Sequence, residues 1–318
     1  MLIKLTLLIA GLLILVKASD IFVEAASSLA IKLRVPKTLI ALTIAAFGTC
    51  VPELFISFNS IAEHSYDITL ANVIGSCVVN ILLIVGVATI INPITLKEKI
   101  VKNELPLLTI ISGVFFILMN DRLFGRKENG LSRQDAVILI CAFICFLIYL
   151  VFAYIHNKPK PRGRPPKAKY KLGKAIILII VSLIAIAIAS DMVVDNAVIV
   201  AEKLGISQKF IAMTAIVIGT SLPELVMTIT AAKKGEFELA VGNIIGTNIF
   251  NICIVLGLPT LIFGGFSSSA FNFIDMLAVI IAAASYYIFG YSNKKLSRAE
   301  GVIMVSIFAV YYIYVILS

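Results

Sequence analysis

Two glutamates stand inside otherwise apolar stretches of the sequence, and each belongs to the same short motif. Glu53 lies in GTCVPEL at residues 48–54, and Glu224 lies in GTSLPEL at residues 219–225. An ionised carboxylate inside a membrane is costly, so such groups persist where they face a cavity and meet a cation or a proton. Two neighbouring carboxylates repel each other, and a divalent cation between them would neutralise both. The duplicated motif therefore predicts a cation site between Glu53 and Glu224.

Neutral oxygen atoms are available beside both glutamates. Pro52 and Pro223 have no amide hydrogen to donate, so each frees a carbonyl group about one turn earlier in its helix. In lipid, such backbone persists only where it lines a cavity or coordinates an ion. The carbonyl and hydroxyl groups that we expect to face the site belong to Ala46, Val217, Thr49, Thr220 and Ser221.

A second duplicated motif adds further oxygen atoms. It reads NVIGSCVVN at residues 72–80 and NIIGTNIFN at residues 243–251. Its polar residues are spaced four apart and so share one helical face; they are Ser76, Asn80, Thr247 and Asn251. Calcium takes about six to eight oxygen ligands in flexible geometry, whereas magnesium requires a stricter octahedron. Transition metals would favour histidine or cysteine, and both histidines fall in predicted loops. The set of oxygens therefore favours calcium.

The elements that carry these motifs are predicted to be membrane-spanning helices. The 318 residues are 60% hydrophobic and 14% charged, with a mean hydropathy of +1.04, whereas soluble domains average about 25% charged residues. We therefore expect an all-α polytopic membrane protein with ten transmembrane helices. The first is expected to remain as the partner of the sixth and not to be a cleaved signal peptide. The predicted helices cover residues 2–28, 38–62, 68–92, 104–120, 135–155, 173–199, 209–232, 238–263, 272–290 and 299–317.

Positive charge is concentrated in the segment HNKPKPRGRPPKAKYK between the fifth and sixth predicted helices. A basic, proline-rich segment can bind nucleic acid, but juxtamembrane lysine and arginine also mark cytoplasmic loops. With this segment inside, 19 of the 27 lysine and arginine residues fall in inner loops. The charge therefore indicates topology and no nucleic-acid partner. We expect a multi-pass protein of the cytoplasmic membrane, with both termini outside.

The chain contains an internal repeat, because residues 18–86 align with residues 189–257 without a gap and about a third of the positions are identical. Each half holds five predicted helices, an odd number, so the second half must be inverted in the membrane. The turn after the first glutamate motif is acidic, and its counterpart carries two lysines. Inverted repeats are typical of secondary transporters whose site lies between the halves. We predict a first repeat at residues 1–155, a basic linker at 156–172 and a second repeat at 173–318.

Some residues allow other interpretations. A single glutamate motif could be a kinked helix whose glutamate bonds a neighbouring serine. Asn72 and Asn243 suit hydrogen bonding between helices as well as ion contact. Asp20 and Asp191, which match across the repeats, could cap a helix or attract ions. The pair of cysteines at 141 and 145 could hold a soft metal, but small side chains in a helix interface are the simpler interpretation.

The paired motifs GTCVPEL…NVIGSCVVN and GTSLPEL…NIIGTNIFN closely resemble the alpha-repeats of the calcium/cation antiporter superfamily, and most of all its prokaryotic sodium/calcium exchanger branch. The resemblance covers essentially the whole chain. It implies an inverted five-plus-five fold, with ion sites between helices two, three, seven and eight. It also implies alternating access by sliding of helices one and six. By motif position, it places the ion ligands at Ala46, Thr49, Cys50, Glu53, Ser76, Asn80, Val217, Thr220, Ser221, Glu224, Thr247 and Asn251.

The sequence departs from the family pattern at two positions. Cys50 stands where the family has serine, and a thiol is a poor ligand for sodium or calcium. This puts one peripheral sodium site in doubt. Asn251 stands where some relatives, including potassium-dependent exchangers, carry aspartate. Its neutral side chain argues against potassium co-transport and against a proton acceptor at this position.

The preferred interpretation is an antiporter that exchanges calcium for sodium, with both ions competing for the two carboxylates. The alternative is a proton/calcium antiporter, or one of another cation pair, on the same scaffold. An intramembrane hydrolase using Ser221 or Cys50 would need a base within reach, and no histidine lies in a predicted helix; we therefore expect no enzyme. A passive channel needs no duplicated, inverted site. Beyond the transported cations and the lipid bilayer, no cofactor or partner is indicated, and a monomer suffices.

Overall fold

The computed structural model describes residues 2–121, 125, 129–156, 167–204, 219–268 and 271–317. Within these residues the protein is mostly helical. The helices are α1 (Leu2–Leu33), α2 (Lys37–Thr49), α3 (Val51–Ala62), α4 (Tyr66–Ile91), α5 (Ile100–Met119), α6 (Arg133–Ala153), α7 (Leu172–Lys203), α8 (Leu222–Lys233), α9 (Phe237–Phe263), α10 (Phe273–Asn293) and α11 (Arg298–Leu317).

Eight of the described helices are long and apolar enough to cross a membrane, and the bent pair α2–α3 makes a ninth candidate. The beginning of the seventh predicted helix lies outside the described residues, and α8 is its described part. Each predicted helix otherwise has a counterpart in the structure. The chain is thus a mostly helical, multi-pass membrane protein with about eight or nine candidate spans.

Helices α4 and α9 form the buried centre, and α1, α6, α7 and α11 surround it. In its most apolar part α9 is almost completely buried. The surrounding helices expose leucine, isoleucine and valine side chains over much of their length. Such side chains are favourable against lipid. The polar residues of the central helices are buried inside the bundle, away from lipid.

Helices α1 and α7 lie along each other, and both are longer than the sequence predicts. Their close approach is visible at Gly11, where an added Cβ atom would lie 2.8 Å from a methyl group of Val193. Helix α1 extends to Leu33, with Lys32 in its last turn. The paired first and sixth predicted helices are therefore present.

Two short antiparallel strand pairs join connections between helices in the first half of the chain to connections in the second half. Ile94–Thr95 (β1) pairs with Lys295–Leu296 (β4), and Asn129–Leu131 (β2) pairs with Phe266–Ser268 (β3). The sequence did not predict these strands, because two or three residues are too few to show a period. Each pair joins connections that the predicted ten-helix arrangement would place on the same side of the membrane.

Candidate cation-binding site

Both glutamates occupy the first turn of a helix that restarts at a proline. Helix α2 ends at Thr49, and α3 leaves it at an angle of 47°. Cys50 between them has φ −82° and ψ 0°; Ser221, just before α8, has nearly the same conformation at φ −86° and ψ 5°. Amide groups at a helix N-terminus favour negative charge. The two motifs therefore build the same local structure around Glu53 and Glu224.

The Ala46 carbonyl accepts two hydrogen bonds, so the prediction that it is freed by the proline is wrong. The Cys50 amide donates to it at 3.1 Å, and the Thr49 hydroxyl donates at 3.3 Å. The amide that Pro52 lacks would have bonded the carbonyl of Gly48, four residues earlier. The helix accordingly continues normally past Ala46 and breaks at Cys50.

Contacts between the two halves of the chain bring the predicted ligands together. The Ser76 and Thr220 hydroxyl oxygens are 3.4 Å apart, and the Cys50 thiol donates to the Thr247 carbonyl at 3.8 Å. The Thr49 side chain lies beside the Glu224 carboxylate. These contacts join the α2–α3 break and α4 of the first half to the α8 start and α9 of the second.

The two carboxylates are buried and close enough to interact electrostatically. Glu53 is 1% exposed and Glu224 is fully buried, and each carboxylate lies in the other's field. Among the described residues, neither has a hydrogen bond of good geometry from another group. Two buried negative charges that interact with each other cannot remain uncompensated, so the site requires positive charge from a cation or from protons.

Other predicted ligands share this lack of a protein partner. Buried polar atoms are nearly always hydrogen-bonded, and the exceptions usually mark bound water, ions or function. The six predicted ligands that have side-chain oxygens without a hydrogen-bond partner among the described residues are Glu53, Glu224, Asn80, Asn251, Ser221 and Thr247. Their oxygens are the kind of ligand that a hard cation accepts.

Asn80 and Asn251 lie in π-helical turns, at equivalent positions of the two repeats. The first turn covers Val79–Val85 and the second covers Asn251–Val255. A π-helical turn shifts the direction of the following side chains and is frequent at functional sites. The sequence did not predict these turns, since nothing in the apolar pattern distinguishes them from α-helix.

The structure bears on the role of Asn72, and it places two further hydroxyl groups near the site that the sequence did not predict. The side-chain amide of Asn72 donates to the backbone carbonyl of Glu53 at 3.2 Å. This contact supports the interpretation that Asn72 forms hydrogen bonds between helices. Ser57 and Thr228, one turn after each glutamate, are buried and have no hydrogen-bond partner among the described residues. Their signal in the sequence is a hydroxyl four residues after each glutamate in both repeats. Val217 lies outside the described residues.

The described residues contain no group of three or more histidine, cysteine, aspartate or glutamate side chains that could hold a metal ion. The two carboxylates and the neutral oxygens beside them are ligands of the kind that calcium accepts. Cys141 and Cys145 are exposed on α6, so the prediction that they lie in a helix interface is wrong. They face outward as lipid-facing side chains do.

Comparisons with known proteins agree with this architecture. The family model described as sodium/calcium exchanger protein matches residues 3–152 and 174–317. Over 274 residues the chain is 36% identical to the inner membrane protein YrbG of Escherichia coli, covering 83% of this chain and 82% of that protein. It is 30% identical to the sodium/calcium exchanger MaX1 of Methanosarcina acetivorans, covering 96% and 97% of the two chains.

A solved structure has the same fold. The sodium-calcium exchanger NCX_Mj, in a structure soaked without sodium or calcium, superposes with a TM-score of 0.83 at 30% sequence identity. The superposition covers 98% of each chain. The shared fold therefore extends over nearly the whole length of the chain.

Proposed function

Since the chain belongs to the sodium/calcium exchanger family, a family of transporters and not of enzymes, we propose that it exchanges calcium for sodium across the cytoplasmic membrane by alternating access. The observation that carries this proposal is the pair of buried carboxylates, Glu53 and Glu224, neither of which receives a hydrogen bond of good geometry from another group among the described residues. They come from equivalent positions of the two repeats, so one central cation can use both.

Competition for these two carboxylates couples the ions. Calcium lies between Glu53 and Glu224 in one loaded state, and sodium ions replace it in the other. The described site has only two acids, so it cannot neutralise calcium and the sodium ions at the same time. Each kind of ion therefore leaves when the other binds. The neutral ligands of the proposed site are the carbonyl or side-chain atoms of Val217, Thr49, Thr220, Cys50, Ser221, Ser76, Thr247, Asn80 and Asn251. Ala46, which the sequence also predicts, is not among them, because its carbonyl already accepts two hydrogen bonds.

The proposed architecture has ten transmembrane helices in two inverted halves, residues 1–155 and 173–318. Residues 156–172 form a cytoplasmic linker, and both termini face outward. The two strand pairs support this arrangement. In each of β1–β4 and β2–β3, the two paired connections are expected on the same side of the membrane. Inverted halves place equivalent acids at mid-membrane, as the exchange proposal needs.

The exchange is tested with purified protein in lipid vesicles. Radiocalcium uptake is measured with outward gradients of sodium, potassium or protons, applied one at a time. We expect uptake with the sodium gradient only, because Asn251 replaces the acid that a proton or potassium site would use. Uptake driven by a proton gradient without sodium would instead favour the proton/calcium alternative. Vesicles without protein provide the background.

Cys50 provides a second test that separates the two ions. We expect Cys50→Ser to lower the half-saturating sodium concentration by about two- to tenfold, the effect of one gained polar ligand. A hydroxyl oxygen is a harder ligand than a thiol. The calcium dependence should change less, because calcium is held chiefly by the carboxylates. Cys145→Ser, on the exposed face of α6, is the control, and an equal sodium shift in both variants would contradict a role for Cys50.

A further inference from the structure

A group of ion pairs holds one end of α1 against the second half of the chain. Lys234, at the end of α8, lies 3.2 Å from the Asp20 carboxylate and 3.1 Å from the Glu24 carboxylate. Glu24 also accepts from Lys169 at 2.6 Å and from the Tyr170 hydroxyl at 3.0 Å. We refer to Asp20, Glu24, Lys169, Tyr170 and Lys234 as the α1 ion-pair cluster. Asp20 thus pairs with a lysine, which neither helix capping nor ion entry predicts.

The cluster connects three segments that are distant in sequence: α1, the residues preceding α7, and the turn between α8 and α9. The Glu24 carboxylate raises the pKa of Lys169 above its ordinary value, because the hydrogen bond favours the charged amine. A neighbouring pair strengthens the same connection, since Lys37 bonds Glu236 at 2.6 Å and Ser27 donates to Glu236 at 3.3 Å. Lys234 cannot move away from α1 without breaking two ion pairs.

The other repeat has the acids of this cluster without its lysine. Asp191 and Asp195 of α7 are the repeat equivalents of Asp20 and Glu24, and Glu63 is the equivalent of Lys234. Within the described residues, neither aspartate forms an ion pair, and the two interact unfavourably with each other. An acid at position 63 cannot replace the lysine. The cluster is therefore present at one end of the α1–α7 pair.

Packing shows the same difference between the two ends. Helix α1 packs against α8, whereas the equivalent pair, α7 and α3, makes few contacts. Ala26 of α1 is fully buried, but its repeat equivalent Ala197 of α7 is exposed. Among the described residues, α1 is thus packed against the bundle where the cluster lies, whereas α7 is not packed at the equivalent position. In an inverted repeat, these two ends face opposite sides of the membrane.

Building on the proposed exchange, we propose that the α1 ion-pair cluster holds its end of the transporter closed and biases the protein toward the state that is open at the other end. Partly exposed ion pairs each contribute little, but Lys234 and Glu24 each take part in more than one. Two access states need differ only slightly in free energy for such a group to change their populations. The bias is one-sided because Glu63 replaces the lysine in the other repeat.

The test measures which end is open by thiol labelling. Ala26→Cys and Ala197→Cys are made separately, in protein whose exposed Cys141 and Cys145 are replaced by alanine. A membrane-impermeant maleimide is supplied on both sides of ion-free vesicles. We expect Lys234→Ala to raise the labelling rate of Ala26→Cys by about five- to twentyfold, the effect of two lost pairs. Labelling of Ala197→Cys should fall in the same variant.

Lys233→Ala is the matched control, because it removes the same charge from the adjacent exposed position. Glu24→Gln is the second variant, and it should act in the same direction as Lys234→Ala. Equal labelling in the Lys234→Ala and Lys233→Ala proteins would overturn the proposal. So would a rise at position 26 without a fall at position 197, which would show local loosening. Labelling without ions is independent of which cation is carried, so failed sodium-driven uptake would overturn the exchange proposal separately.

Discussion

Glu53→Gln or Glu224→Gln should reduce sodium-driven calcium uptake to the background of empty vesicles, a loss of about a hundredfold or more. The amide keeps the size of the side chain and removes its charge. Removing one partner of a buried ion pair, here a carboxylate that faces the bound cation, typically costs about 3–5 kcal/mol, and a factor of ten corresponds to about 1.4 kcal/mol. With one carboxylate left, the site cannot neutralise a divalent cation. Radiocalcium uptake into vesicles measures the effect.

A stability measurement shows whether the loss comes from ion binding. Without ions, each glutamine variant should melt no lower than the unmodified protein, because one of two repelling buried charges is gone. Added calcium should raise the melting temperature of the unmodified protein and leave that of the variants unchanged. Glu98→Gln, at an exposed position just before α5 and paired with Lys102, is the control and should transport normally. Full uptake by Glu53→Gln would refute the site.

Gly246→Ala should destabilise the protein by about 1–3 kcal/mol, the usual cost of overpacking, and should abolish transport. An added Cβ atom at Gly246 would lie 2.7 Å from the Ala46 Cβ and 2.8 Å from the Leu42 carbonyl oxygen. Both neighbours are too rigid to move alone, so α9 must shift away from α2. That shift displaces Thr247, whose carbonyl accepts from Cys50 at 3.8 Å. Thermal melting in detergent and vesicle uptake give the two readouts.

Gly113→Ala is the matched control for Gly246. Gly113 lies within α5, and an added Cβ atom would have nothing within 4 Å. Alanine favours helix over glycine by about 0.5–1 kcal/mol, so this variant should melt at the same temperature or higher and transport normally. If both glycine variants behaved alike, the close approach of α2 and α9 would have no special importance.

The sequence predicted the helices and the paired acids because these leave strong local signals. Glu53 and Glu224 are conspicuous in apolar surroundings, and duplication of the motif links them without any structural information. The hydrogen bonds of the Ala46 carbonyl were not predictable in the same way, since they depend on where the helix breaks. Proline marks the region of that break, but the residue that absorbs the change in backbone angles is set by packing.

Long-range pairings were also beyond what the sequence could show. Asp20 is matched by Asp191 in the repeat, yet its partner Lys234 lies more than two hundred residues away. The π-helical turns that hold Asn80 and Asn251 differ from α-helix because their hydrogen bonds span five residues and not four, and the apolar pattern of the sequence does not show this difference. Contacts of this kind follow from the assembled bundle, in which both halves constrain each other.

The length of α1 and α7 makes bilayer thickness a physical variable for this protein. Each has 32 residues and is therefore about 48 Å long, whereas the hydrocarbon layer is about 30 Å thick. Both helices must tilt relative to the bilayer normal or project into the headgroups, and a thinner or thicker membrane changes the tilt. Lipid chain length would therefore alter the angle at which the two helices cross the rest of the bundle.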